Sequence, residues 1–166
     1  TAAVARDVAA LAPAGIRALV HLAGGYTDGA PVAEMDPAVW NRLIAINLTT
    51  AFITSRAFLP LLRLGRGSLV FFASAAALPG AAVATLSAYA AAKGGVITLM
   101  RSIAAEERDA GVRANALAPR AIRTRSNLDN MGEKAGYVER ETVAEWVLWL
   151  CSAAAGPVSG QTIRVG

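Results

Sequence analysis

Four short apolar runs alternate with stretches long enough to be helices, and this alternation constrains the chain more than any other feature. The runs are Ile16–Leu22 (IRALVHL), Ser68–Ala73 (SLVFFA), Val112–Leu117 (VRANAL) and Gln161–Val165 (QTIRV). Short continuous apolar runs suit strands buried on both faces, as in parallel sheets. Parallel neighbours need long crossover connections, and the intervening segments supply them. The expected fold is therefore α/β, a doubly wound parallel sheet with helices on both faces. No internal repeat or low-complexity linker divides residues 1–166, so one domain is expected.

The intervening segments have helix signals of their own. Thr1–Leu11 has the pattern of a helix end, with Ala12–Gly15 as its turn. After a loop at Tyr26–Met35, Asp36 and Pro37 form an N-cap followed by proline at the first helical position. That helix runs through Trp40 and Leu43 toward Asn47. A second apolar helical stretch covers Leu48–Leu64, with Arg56 and Arg63 toward water and Gly65 and Gly67 as the stop. A loop follows at Ser74–Ser87, then a long helix at Ala88–Asp109 closed by Gly111. Arg120–Glu139 is irregular or partly helical. Glu141–Ser152 (ETVAEWVLWLCS) is an amphipathic helix. Positions 67–92 carry no charge, but Pro79 and Gly80 interrupt them, so a strand and loop explain them better than a membrane span.

Composition narrows the function classes. Aromatic residues make up only 6%, so the core should be aliphatic. The net charge of +4 is scattered, with no lysine run and no arginine stripe beside aromatics, which argues against nucleic acid as a partner. One cysteine, Cys151, excludes a disulfide within the chain, and with the one histidine, His21, it argues against a metal site. No secretory leader is visible, and a reducing cytoplasm fits the cysteine usage.

The chemistry-bearing signal is YAAAK, Tyr89–Lys93. Four residues apart on a helix places both side chains on one face. A phenol titrates near ~10, and a neighbouring ammonium favours the phenolate, so the pair could exchange a proton with a carbonyl or an alcohol. The alternative is a solvated helix face. Ser74 follows the strand ending in FFA, where open α/β sheets bind ligands; it could hold a substrate oxygen or cap its loop. Asn47 lies in an apolar stretch (LIAINLTTAF), where an amide needs partners. It is either a site residue or a satisfied buried amide that kinks the helix.

HLAGG (His21–Gly25), INLTT (Ile46–Thr50), FFASAAA (Phe71–Ala77), YAAAK and NALAP (Asn115–Pro119), with the ending SGQTIRVG (Ser159–Gly166), resemble the short-chain dehydrogenase/reductase family in order and spacing. The resemblance covers essentially the whole chain and implies a Rossmann-type fold. It implies Tyr89 as general acid/base, Lys93 lowering its pKa and bonding the nicotinamide ribose, Ser74 on the substrate oxygen, and Asn47 binding a relay water. Ala23 and Gly24 match the turn against the cofactor; Pro119, Ile122 and Thr124 match the segment at the nicotinamide end. The implied cofactor is NAD or NADP, and the implied substrate a ketone or secondary alcohol.

The chain departs from the family in three places. His21 and Leu22 stand where two asparagines are usual, and His21 is read as a satisfied core residue. Arg120 stands where glycine usually follows the proline, and is read as pointing outward, with contact to an acidic substrate as the alternative. The glycine-rich turn that binds the pyrophosphate is not matched: Gly24, Gly25 and Gly29 do not make GxGxxG. The chain is thus expected to lack the first strands of the fold and to be part of a larger unit, with Ile16–Leu22 as an exposed edge. The alternative function is a truncated or degenerate member with a structural role. The helices at Leu48–Leu64 and Ala88–Asp109 resemble the pair through which the family forms homodimers and homotetramers. Arg125–Arg140 resembles its substrate lid, where Met131 and Tyr137 could line an apolar pocket or lie on the surface.

Overall fold

A computed structural model describes residues 1–27, 29–133 and 136–166. Residue 28 of the Tyr26–Met35 loop and residues 134 and 135 of the Arg125–Arg140 segment lie outside the described residues. The strands are β1 (Ala18–His21), β2 (Ser68–Phe72), β3 (Arg113–Pro119) and β4 (Thr162–Val165). They form one parallel sheet in the order β1-β2-β3-β4. The helices are α1 (Ala2–Leu11), α2 (Pro37–Ile44), α3 (Thr50–Gly65), α4 (Ser87–Glu106), α5 (Arg125–Met131) and α6 (Arg140–Cys151).

Alternate residues of each strand feed opposite layers, as the two-residue strand period requires. Leu69, Phe71, Ala114 and Ala116 pack against Ala51 and Leu62 of α3 and Val96 and Met100 of α4. Val70, Leu117 and Val165 face the other way, onto Val143 and Leu150 of α6. The alanines of β3 let α4 lie close to the sheet, and Phe71 is the buried aromatic of this cluster among the described residues. On the α3 side, α1 adds a satellite cluster of Ala5 with Phe58 and Leu61. This is the α/β fold with helices on both faces expected from the alternation. The strands advance in one direction, yet α6 lies on the face opposite α3 and α4. The β3–β4 crossover therefore has the opposite hand to the two before it, against the usual uniformity.

Two segments differ from expectation. The two helical stretches expected on either side of Asn47 are continuous: Pro37–Gly65 is one helix of 29 residues. Ala45–Thr49 within it is a π-helical turn, the form in which a helix absorbs one extra residue. This helix is long and apolar enough to cross a membrane by length and composition, but Ala51, Ser55, Phe58, Leu61 and Leu62 are buried within the fold. The irregular stretch after Arg120 contains α5, capped by Thr124, whose hydroxyl accepts from Asn127 N at 3.2 Å. Arg63 does not simply face water. Its guanidinium grips the buried Glu107 carboxylate through two hydrogen bonds of 2.7 and 2.6 Å, tying the end of α3 to the end of α4.

Among the described residues β1 pairs with β2 alone and stands at the edge of the sheet. Its side chains are buried unevenly: His21 is buried, Leu19 and Val20 are half-buried, and Leu22 just beyond it is exposed.

Candidate active site

The carboxyl ends of the strands gather most of the chemistry-bearing residues. Ser74 follows β2 directly, in extended backbone, and caps a short 3-10 turn at Ala75–Ala77. Its Oγ accepts from Ala76 N at 3.2 Å, which fixes the oxygen. The loop cap, one of the two roles expected of Ser74, is thus observed.

Tyr89 and Lys93 lie in the first two turns of α4. Lys93 is buried, with its Nζ 2.8 Å from the Phe72 carbonyl at the end of β2 and 5.9 Å from the centre of the Tyr89 ring. Burial lowers its pKa to about 8. The Tyr89 phenol moves the other way. Burial pushes it above its ordinary value, the Ser74 hydroxyl pulls it partly back, and Tyr26 adds to the rise. This corrects the expectation of a phenol lowered by Lys93. The ammonium is directed at a carbonyl instead, and a desolvated phenol keeps its proton.

Asn47 is buried in the π turn, and its side chain is fully engaged. Nδ2 donates to Leu43 O at 3.0 Å and to Gly25 O at 2.9 Å, while Oδ1 accepts from Gly25 N at 3.1 Å. Asn47 is therefore the satisfied amide of one expectation, and it also reaches the site. Both amide hydrogens are used, so a relay water could meet only the remaining lone pair of Oδ1. Gly24 fits between Asn47 and Lys93. A Cβ there would stand 2.8 Å from Asn47 Oδ1 and 3.1 Å from Lys93 Nζ.

The other residues expected at a cofactor are spread along neighbouring strand ends. Ala23 is exposed beside Gly24. Pro119 ends β3 and is buried, Ile122 bridges to Val138, and the Thr124 hydroxyl is occupied in capping α5. Among the described residues no hydrogen bond joins these to Tyr89 or Lys93. Arg120 is exposed, as read, with its guanidinium lying against Gly136. Tyr137 is half-buried. Its hydroxyl donates to Gly132 O at 2.8 Å and its ring stacks with Arg123.

Three site residues were not legible beforehand. Tyr26, read only as loop, meets Tyr89 edge-on at 5.3 Å. Phe72 contributes its carbonyl, which no sequence pattern marks. His21 is a buried residue but not a satisfied one: its Nε2 has no hydrogen-bond partner. Burial and the Lys93 charge both hold its pKa below the usual value.

The profile described as enoyl-(acyl carrier protein) reductase matches residues 1–166. A 2-(S)-hydroxypropyl-CoM dehydrogenase of Xanthobacter autotrophicus is 40% identical over 63% of this chain and 40% of its own length. A short-chain dehydrogenase/reductase of Aspergillus oryzae is 31% identical over 88% of this chain and 61% of its own length. The chain thus spans roughly half the length of these relatives. A short-chain dehydrogenase of Escherichia coli solved in complex with NADPH superimposes with a TM-score of 0.83. It is 26% identical, and the match covers 99% of this chain and 70% of that one.

Proposed function

The chain belongs to the short-chain dehydrogenase/reductase family, and on that premise we propose that it carries the catalytic half of an NAD(P)-dependent oxidoreductase acting on a ketone or secondary alcohol. Residues 1–166 form a single domain in this reading. The observation that carries it is the convergence of Ser74, Tyr89 and a buried Lys93 at the carboxyl ends of β1 and β2, where open α/β sheets bind ligands.

The residues present fit the nicotinamide end of such a cofactor, because Gly24 leaves a cleft that a single Cβ would fill. Ala23, Gly24, Tyr89, Lys93, Pro119, Ile122 and Thr124 would hold that end. The bound nicotinamide supplies or accepts the hydride. Tyr89, kept protonated by its surroundings, donates its proton to a carbonyl oxygen in the reductive direction. Ser74 holds that oxygen by donating its O–H. Lys93, mostly charged at pH 7 but with its pKa lowered to about 8, passes protons in and out beside Tyr89. Asn47 fixes the Gly24–Gly25 turn against which the nicotinamide lies. Since the acid, the hydroxyl and the lysine are all present, a silent scaffold role is not favoured.

Homodimers or homotetramers would form through α3 and α4, where Phe52 and Ile53 are exposed. A cytoplasmic setting accords with the free cysteine. The experiment is a fluorescence titration of the chain with NADH and with NADPH, followed by turnover of a panel of ketones. Saturable binding of either cofactor supports the reading. A folded chain that binds neither refutes it for these residues alone.

A further inference from the structure

The amino end of the sheet holds a second concave site, on the side away from Tyr89 and Ser74. It is a cleft of about 620 Å³ lined by Arg66, Arg101, Arg108 and Arg113, with the Gly156–Gly160 segment as its far wall. β3 spans seven residues from Arg113 to Pro119. At ~3.3 Å per residue, the cleft lies roughly 20 Å from the candidate active site.

Its arginines are not accounted for by internal partners. None of the described ion pairs includes Arg66, Arg101 or Arg108. Of the carboxylates at the end of α4, Glu107 is gripped by Arg63 and Glu106 accepts from Ser102, while Asp109 beside Arg108 is in none of the described ion pairs. Attraction to the carboxyl end of a helix acts within its last turn. Arg101 lies five residues before the end of α4, outside that range.

Arg113 is held in place by backbone carbonyls, and Arg66 lies against backbone at Gly111. Arg66 has left-handed backbone, φ 49°, at the end of α3, and its guanidinium lies over Gly111. A Cβ at Gly111 would stand 2.8 Å from Arg66 Nε. Arg113 is the floor. Its guanidinium donates to the carbonyls of Leu150, Ser152 and Val158 at 2.8 to 3.3 Å and has no carboxylate partner. Burial disfavours this charge, and an anion in the cleft would relieve it.

We propose that this cleft is an anion-binding site, separate from the oxidoreductase centre, that takes a small molecule bearing phosphate groups. Guanidinium groups present paired N–H donors that match phosphate oxygens. Arg66, Arg101 and Arg108 supply those donors, and Arg113 supplies field from below. The proposal is independent of the reaction assigned above.

The probe is inorganic tripolyphosphate, titrated calorimetrically into the chain at low ionic strength. The expected result is one-to-one saturable binding. Arg66→Gln with Arg108→Gln weakens it at least ten-fold, while the charge-matched pair Arg6→Gln with Arg56→Gln, on exposed faces outside the cleft, changes it less than two-fold. Equal weakening in both pairs would show attraction to net charge alone and overturn the site. Absence of saturable binding by the folded chain would overturn it too. Should the first pair fail to fold, Arg101→Gln on the exposed face of α4 takes its place, with a loss of at least three-fold expected.

Discussion

Asn47 holds Gly25 by both ends of its peptide, accepting from the N–H at 3.1 Å and donating to the carbonyl at 2.9 Å. The same amide donates to Leu43 O inside the π turn. One side chain thus joins the helix distortion to the turn after β1. Asn47→Ala strands these buried groups, and an unmade buried hydrogen bond costs about 1–3 kcal/mol. Denaturant unfolding should show a loss of that order. Asn47→Asp should be no better, since a carboxylate cannot donate to two carbonyls; full stability in either variant would remove the clamp.

Glycine is required at two positions for different reasons. At Gly65 a Cβ would stand 2.1 Å from the Ile16 carbonyl, which is backbone and cannot step aside. Gly65→Ala should cost about 1–3 kcal/mol as overpacking, read from the unfolding midpoint. At Gly24 the neighbours are the side-chain ends of Asn47 and Lys93. Gly24→Ala should therefore leave stability nearly unchanged while weakening nicotinamide cofactor binding several-fold. A variant that binds like the parent would exclude the turn from the cofactor site.

His21 ties stability to pH. Its pKa is lowered in the fold by burial and by the facing Lys93, while in the unfolded chain it titrates near ~6.5. Below that pH the unfolded chain binds the extra proton, so stability falls as pH drops through ~6.5 and levels off below the folded pKa. His21→Leu should flatten the stability profile between about pH 5 and 7. An unchanged slope would mean that His21 accepts a proton in the fold.

Lys93 should lose its proton near pH 8, far earlier than a surface amine. Competitive labelling of amines across pH 7 to 10 measures this directly, and a titration near ~10.4 would contradict it. Cofactor charge is absent from that setting, so the measurement belongs to the free chain.

Tyr89→Phe keeps the ring that meets Tyr26 edge-on and removes only the hydroxyl. Turnover of a ketone should fall by about 10²–10⁴-fold, the usual worth of a positioned acid, with cofactor binding retained. Activity within ten-fold of the parent would dismiss Tyr89 as the proton donor.

Much of this was legible in local pattern. The runs around Leu69–Phe71 and Ala114–Leu117 announced buried parallel strands because they are short and apolar but for Asn115, and the structure pairs them as such. Asp36 before Pro37 marked a helix start, and Asp36 does cap Ala38 N at 2.8 Å. The two helical stretches meeting at Asn47 join into one, because a π turn can seat a buried amide without ending the helix.

By itself the sequence determined the strand–helix alternation, the sheet type and the four-residue spacing of Tyr89 and Lys93, all set by contacts between near neighbours in the chain. Only the tertiary structure decided what those side chains experience. The direction of the Tyr89 shift depends on burial and on Tyr26, 63 positions earlier. The Lys93 charge is met by a strand carbonyl, and Asn47 is spent on a turn 22 residues away. Desolvation and long-range hydrogen bonds arise only when distant segments pack, so no local pattern encodes them.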